Sequence, residues 1–175
     1  MNINNNIKKT KAFSLIEVLI FITILSLFFI VAVSVMIVSL RASKINEHKI
    51  LAKHYAEELY EWLRAEKEEN WGGYSATYPG SDPETFTYKA TKLQHEYCFL
   101  TSPIVEWSSP ANFDSCSYSL NNGIFRRYVI LTAASPDANS YINEVKAEIV
   151  VDWEESGVTY SVPINSTFSI WEKIY

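Results

Sequence analysis

From Val18 to Leu40 the chain runs for 23 residues without a charge. That is long enough for a helix to cross a hydrocarbon core of about 30 Å. Lys8, Lys9 and Lys11 stand just before this run, and Arg41 and Lys44 just after it. One acid, Glu17, sits at its start, where an unpaired charge is costly. At Arg41 the pattern changes. Ile45, Ala52, Tyr55, Ala56, Leu59, Trp62 and Leu63 recur at three- and four-residue spacing, the apolar stripe of an amphipathic helix. Glu47, Lys49, Lys53, Glu57, Glu61 and Arg64 take much of the remaining surface. No Gly or Pro falls between Phe13 and Trp71, so residues 13–70 read as one helix. Its transmembrane half, 13–40, needs lipid or other helices around it, and its second half needs a sheet over one side. Trp71-Gly72-Gly73 is the expected stop.

Beyond a Gly-, Ser-, Pro- and Asp-rich loop from Tyr74 to Pro83 the period becomes two. Thr85–Ala90 alternates Phe86 and Tyr88 with polar residues and reads as a strand, as does His95–Leu100. Thr101–Asn122 reads as mostly loop, Phe125–Ala133 as a strand, and Ser135–Ser140 as a turn. The clearest alternation is Val145, Ala147, Ile149, Val151 and Trp153 against Glu144, Lys146, Glu148 and Asp152. Glu154–Gly157 is the turn that returns it into Val158, Tyr160, Val162 and Ile164, a β-hairpin. Asn165–Tyr175 reads as a further strand. The fold class expected is α+β: a long N-terminal helix packed on a small antiparallel β-sheet domain. The divisions are residues 1–12, 13–70 and 71–175.

With 11 Tyr, 9 Phe and 5 Trp against 5 Gly and 6 Pro, the C-terminal part has the composition of one folded domain rather than a disordered chain. Net charge is −5, and removal of Lys8, Lys9 and Lys11 would take it to −8. From Trp71 onward 12 acids face 6 bases, which argues against a nucleic-acid surface. The one adjacent basic pair there, Arg126-Arg127, reads as a solvated strand edge. The lysines before the span predict a cytoplasmic N-terminus. Cys98 and Cys116 then lie on the oxidising side, where a disulfide persists. Closing such a loop contributes about 3 kcal/mol in the chain-entropy model. The alternative is two buried free thiols. With only these two cysteines and no His at ligand spacing, no metal site is expected.

Lys11-Ala12-Phe13-Ser14-Leu15-Ile16-Glu17 followed by the apolar run resembles the class III leader of type IV prepilins and pseudopilins. The resemblance implies cleavage between Ala12 and Phe13 by a membrane-embedded prepilin peptidase, with N-methylation of Phe13. The family usually has Gly where this chain has Ala12. Glu17 becomes the fifth mature residue, the family acid thought to meet the N-terminal amine of a neighbouring subunit during assembly. Methylation keeps that amine charged, as a carboxylate in lipid requires. Ala56–Arg64 with Glu69-Asn70-Trp71 is similar to a stretch of many prepilins, and the Val-Asp-Trp closing strands to minor pilins and pseudopilins of the PilV and GspI kind. The lack of Gly or Pro in the apolar half leans toward a minor pilin or pseudopilin. An ordinary secretory signal has an apolar stretch of only about 7–15 residues, and a plain membrane anchor gives no reason for Glu17.

The resemblance implies a non-enzymatic subunit, single-pass in the inner membrane with its C-terminal domain outside, assembled into a type IV pilus or type II secretion-like filament. Its implied partners are other pilin or pseudopilin subunits through the helix, the peptidase/methyltransferase, the inner-membrane assembly platform and the lipid bilayer, with no cofactor. The alternative is a membrane-tethered adhesive or DNA-uptake (competence) subunit whose loops bind ligand. Other chemistry is thin. His48 and His54, six apart, do not share a helix face. Asp137, Asn139 and Glu144 suggest a calcium loop such as some pseudopilins carry, but their spacing fits no cation loop and Asp/Asn clusters make turns. Asn165-Ser166-Thr167 fits the N-glycosylation pattern and reads as strand.

Overall fold

The computed structural model describes residues 14–72, 85–91, 95–134 and 142–170. Helix α1 (Leu15–Glu69) is unbroken, as the absence of Gly and Pro dictates. Its residues fall into two compact units that divide after Lys44. In the first unit the apolar half of α1 has no buried residue, and it is long and apolar enough to cross a membrane.

The second unit, from Ile45 on, sets the rest of α1 against a five-stranded antiparallel sheet of order β2-β1-β3-β4-β5. The strands are β1 (His95–Cys98), β2 (Pro110–Asn112), β3 (Phe125–Ala133), β4 (Glu144–Glu155) and β5 (Val158–Ser169). The stripe predicted on α1 is the one buried: Ala52, Ala56, Leu59 and Leu63 are fully covered. They meet the inner face of the sheet, where Phe125, Val129, Val145, Ile149, Val151 and Trp153 are equally inaccessible. Each such Leu or Val contributes about 1.5–3 kcal/mol. Aromatic rings close the seam: Tyr55 meets Phe125 at 5.6 Å, Trp62 meets Phe99 at 5.3 Å, and Tyr60 stacks on Phe168 at 5.9 Å.

The β4–β5 ladder pairs every residue from Glu144↔Ser169 to Glu155↔Val158. The turn is therefore only Ser156-Gly157, with φ of 55° and 78°, the two positive values a primed two-residue hairpin turn demands. β5 runs unbroken through Asn165 to Ser169, so the further strand expected from Asn165 is the end of β5 itself. Pro163 is tolerated because β5 is an edge strand of the described sheet.

One expected strand is a helix. Residues Phe86–Thr91 form α2, burying Phe86, Thr87, Lys89 and Ala90. Phe86 and Tyr88 suggested period two, but burial at Phe86, Lys89 and Ala90 follows helical spacing. The N–H groups of Phe86 and Thr87 donate to the Asn70 and Trp71 carbonyls at 2.7 and 2.9 Å, so α2 starts against the end of α1. A Cβ at Gly72 would come too close to the Thr87 hydroxyl, so a larger residue there would require Thr87 to shift. Between β1 and β3 the chain is mostly irregular, as expected, but includes β2 and the short α3 (Leu120–Gly123). Asn121, Asn122 and Gly123 all take left-handed φ, which these residue types accept most readily.

Candidate functional site

Two places carry the residues singled out from the sequence. The first is the start of α1. Glu17 lies in the first helical turn and is exposed. Its N–H and that of Val18 donate to the Ser14 carbonyl at 2.9 and 3.3 Å, making Ser14 the boundary residue. An acid in a first turn interacts with its own helix dipole by only about 0.3–1 kcal/mol. The cost of an unpaired acid at mid-membrane is about 2.5–3.5 kcal/mol on insertion scales. Glu17 stands at the start of the span, where the cost is smaller than at its centre. Ala12 and Phe13, and with them the cleavage and methylation positions, lie outside the described residues, as do Asp137 and Asn139; Glu144 opens β4.

Three hydroxyls in the apolar half are satisfied within the helix. Thr23 donates to the Ile20 carbonyl at 2.8 Å, Ser26 to Ile22, and Ser34 to Ile30 at 2.8 Å. This leaves an apolar outer surface suited to lipid or to other helices. The exposed chains include Leu19, Phe21, Leu27, Phe28 and Ile30.

The second place is the outer face of the sheet, opposite α1, where the segment from Phe113 to Ser119 folds over β1 and β3. Cys98 on β1 is joined to Cys116, with S–S 2.01 Å. Glu96, two residues before Cys98 and so on the same face, is only 1% exposed. Its Oε1 accepts the N–H groups of Ser115 and Cys116, each at 3.0 Å. Arg126 makes a forked contact with Asp152, Nε to Oδ1 at 3.0 Å and Nη2 to Oδ2 at 2.7 Å, and also binds Asp114. The guanidinium lies 5.4 Å from each of the Tyr118 and Tyr128 rings. The hydrogen bond that Arg126 donates to Asp152 is the largest influence on it and holds its pKa above the usual arginine range, against the opposing effect of burial. Tyr118 and Tyr128 are both raised, first by burial and then by Asp152.

Arg127 points the other way. It is 1% exposed, and its guanidinium donates to Glu58 Oε2 at 2.7 Å, the Tyr55 carbonyl at 3.1 Å and the Thr101 carbonyl at 2.6 Å. Burial is the main influence on its pKa and lowers it, opposed by Glu58. Glu58 also accepts the Ser102 hydroxyl. The expectation that Arg126-Arg127 forms a solvated edge is thus corrected. β3 is a central strand, and its two adjacent arginines are held on opposite faces, one by Asp152 of β4 with Asp114 of the covering loop and one by α1. The available signal was strand alternation itself: neighbours on a strand covered on both sides each need a partner. The role of Glu96 had no counterpart in the reading of the sequence.

Of the histidines, His48 is buried with Nδ1 3.4 Å from Glu155 Oε2 and its ring against Phe125 and Trp153, while His54 is exposed. Glu96, Cys98 and Cys116 are the described residues grouped closely enough to hold a metal, and both sulfurs are spent in the disulfide. Compared with protein-family models, curated proteins and solved structures, the chain matches none.

Proposed function

We propose that the chain is a minor pilin or pseudopilin subunit, inserted in the cytoplasmic membrane by its N-terminal helix. A prepilin peptidase cleaves it before Phe13 and methylates the new amine, and an assembly platform builds it into a type IV pilus or type II secretion-like filament. The chemistry is done to this chain rather than by it. The observation that carries the reading is Glu17: a lone exposed acid in the first turn of an otherwise charge-free span, preceded by Lys-Ala-Phe-Ser-Leu-Ile. A pilin-like architecture supports it, since the same helix continues into an amphipathic half that packs on an antiparallel sheet.

The test is Glu17→Leu in cells carrying the assembly system. The variant inserts at least as well as wild type and is still cleaved, since the scissile bond precedes Phe13, but it is lost from sheared filaments. Wild-type levels in filaments would overturn the role of Glu17 in pairing. Mass spectrometry of membrane-extracted protein checks processing, with a methylated Phe13 as the first residue; an intact Met1 start would contradict it. A second reading, a tethered adhesive or DNA-uptake subunit, draws on the exposed Leu100, Val105 and Phe113 in the loops. The excess of acids in the domain weighs against a nucleic-acid ligand. Neighbouring genes for a secretin or for competence would separate the systems.

A further inference from the structure

The disulfide is not surrounded by neutral protein. The carboxylate of Glu96 and the two sulfurs of Cys98 and Cys116 lie within 4.8 Å of one another. Glu96 is 1% exposed and Cys116 is 6% exposed, so little water screens this contact. The same face carries Asp114 and Asp152 against a single guanidinium, Arg126, which both of them engage. The charge of Glu96 reaches across the face, being among the influences that raise the Tyr128 phenol.

We propose that Glu96 is the positioning and protecting residue of the disulfide. It holds Cys116 against Cys98 through the N–H groups of Ser115 and Cys116, and its charge makes the bond resistant to thiol exchange. In that exchange the thiolate of an external dithiol attacks one sulfur. A new S–S bond forms, the Cys98–Cys116 bond breaks, and the displaced sulfur leaves as a thiolate with the electron pair. A second attack within the reagent releases its cyclic disulfide, and the protein keeps two thiols. Whichever protein sulfur leaves, negative charge develops beside Glu96. A neighbouring carboxylate raises the pKa of a thiol, and a leaving thiol of higher pKa leaves more slowly. The incoming anionic thiolate meets the same repulsion.

The test is reduction of the folded full-length protein by dithiothreitol, comparing wild type with Glu96→Gln, which keeps an acceptor oxygen and loses the charge. Glu96→Gln is expected to be reduced at least about threefold faster, since exchange rates change by roughly half a decade per unit of thiol pKa. Hydrogen exchange at the Ser115 and Cys116 amides is measured on the same oxidised samples. Faster reduction with both amides still protected supports the proposal. An unchanged rate overturns it. Acceleration only with loss of that protection also overturns the protective role, because Glu96 would then act merely by holding the loop.

Discussion

The two faces of the sheet are held by different physics, and the adjacent residues Arg126 and Arg127 mark the difference. On the inner face Arg127 is set among apolar side chains that are fully removed from water, and its charge is matched by Glu58 from α1. Apolar burial supplies the cohesion there; the ion pair ties α1 to β3 at one point. On the outer face the segment from Phe113 to Ser119 buries Cys116 but leaves Ser115 and Tyr118 exposed. It is held by separate ties: the disulfide, the Glu96 carboxylate, and Arg126 between Asp114 and Asp152. One face depends on area, the other on a few specific bonds. Damage to the first should unfold the unit, and damage to the second should free a loop.

The largest effect is expected from Arg127→Ala. It leaves the Glu58 carboxylate half-buried without its cation and opens a cavity, at a cost of about 3–5 kcal/mol. Denaturant unfolding would show a lower midpoint with loss of the whole sheet. The comparison sharpens in the double variant Arg127→Met/Glu58→Leu. If the pair provides register rather than stability, this apolar replacement recovers most of the loss. A double variant no more stable than Arg127→Ala would show the ion pair to be a stabilising element in its own right.

On the outer face Cys98→Ser is expected to cost about 2–4 kcal/mol. Its signature should be local, with faster hydrogen exchange across residues 113–119 and β3–β5 protection lowered only by the global loss. Uniform loss of protection throughout the sheet would show that the stapled segment is part of the core rather than a cover for it.

How much of this was readable from the sequence follows the same division. The α1 stripe, β3 and the β4–β5 hairpin were legible because one face of each meets a continuous apolar surface, and burial imprints the period on the sequence. Phe86–Thr91 was misread because six residues hold too few turns for period 3.6 to emerge against a chance alternation of two aromatics. Arg126-Arg127 was misread because a buried charge looks like a surface charge until its partners are known, and those partners, Glu58, Asp114 and Asp152, come from elements remote in the chain. At the candidate site, Glu17 and the cysteines stood out by isolation and scarcity. Glu96 did not, because its role depends on a loop nineteen and twenty residues downstream.

The smallest effect separates the faces by their tyrosines. Tyr97 on β1 lies opposite Val129, on the inner face, and its hydroxyl donates to the Lys89 carbonyl at 3.1 Å. Burial, with a smaller contribution from Tyr88, pushes its pKa up to about 12 from 10.0. On the outer face Tyr118 and Tyr128 are raised too, but there Arg126 pulls the other way. Below pH 10 both folded and unfolded chains hold the Tyr97 proton, and its contribution is constant. Between pH 10 and 12 the unfolded chain releases it while the folded chain retains it, so the unfolded state binds fewer protons and stability falls as pH rises. Tyr97→Phe loses the hydrogen bond, at about 1 kcal/mol near neutrality, and loses this slope as well. The outer tyrosines titrate in both chains and cancel from the difference. Wild type is therefore the more stable at pH 7, and the two stability curves converge and cross between pH 10 and 12. Parallel curves across that range would mean that Tyr97 ionises no later in the folded chain than in the unfolded one, and that the inner face is open to water at β1.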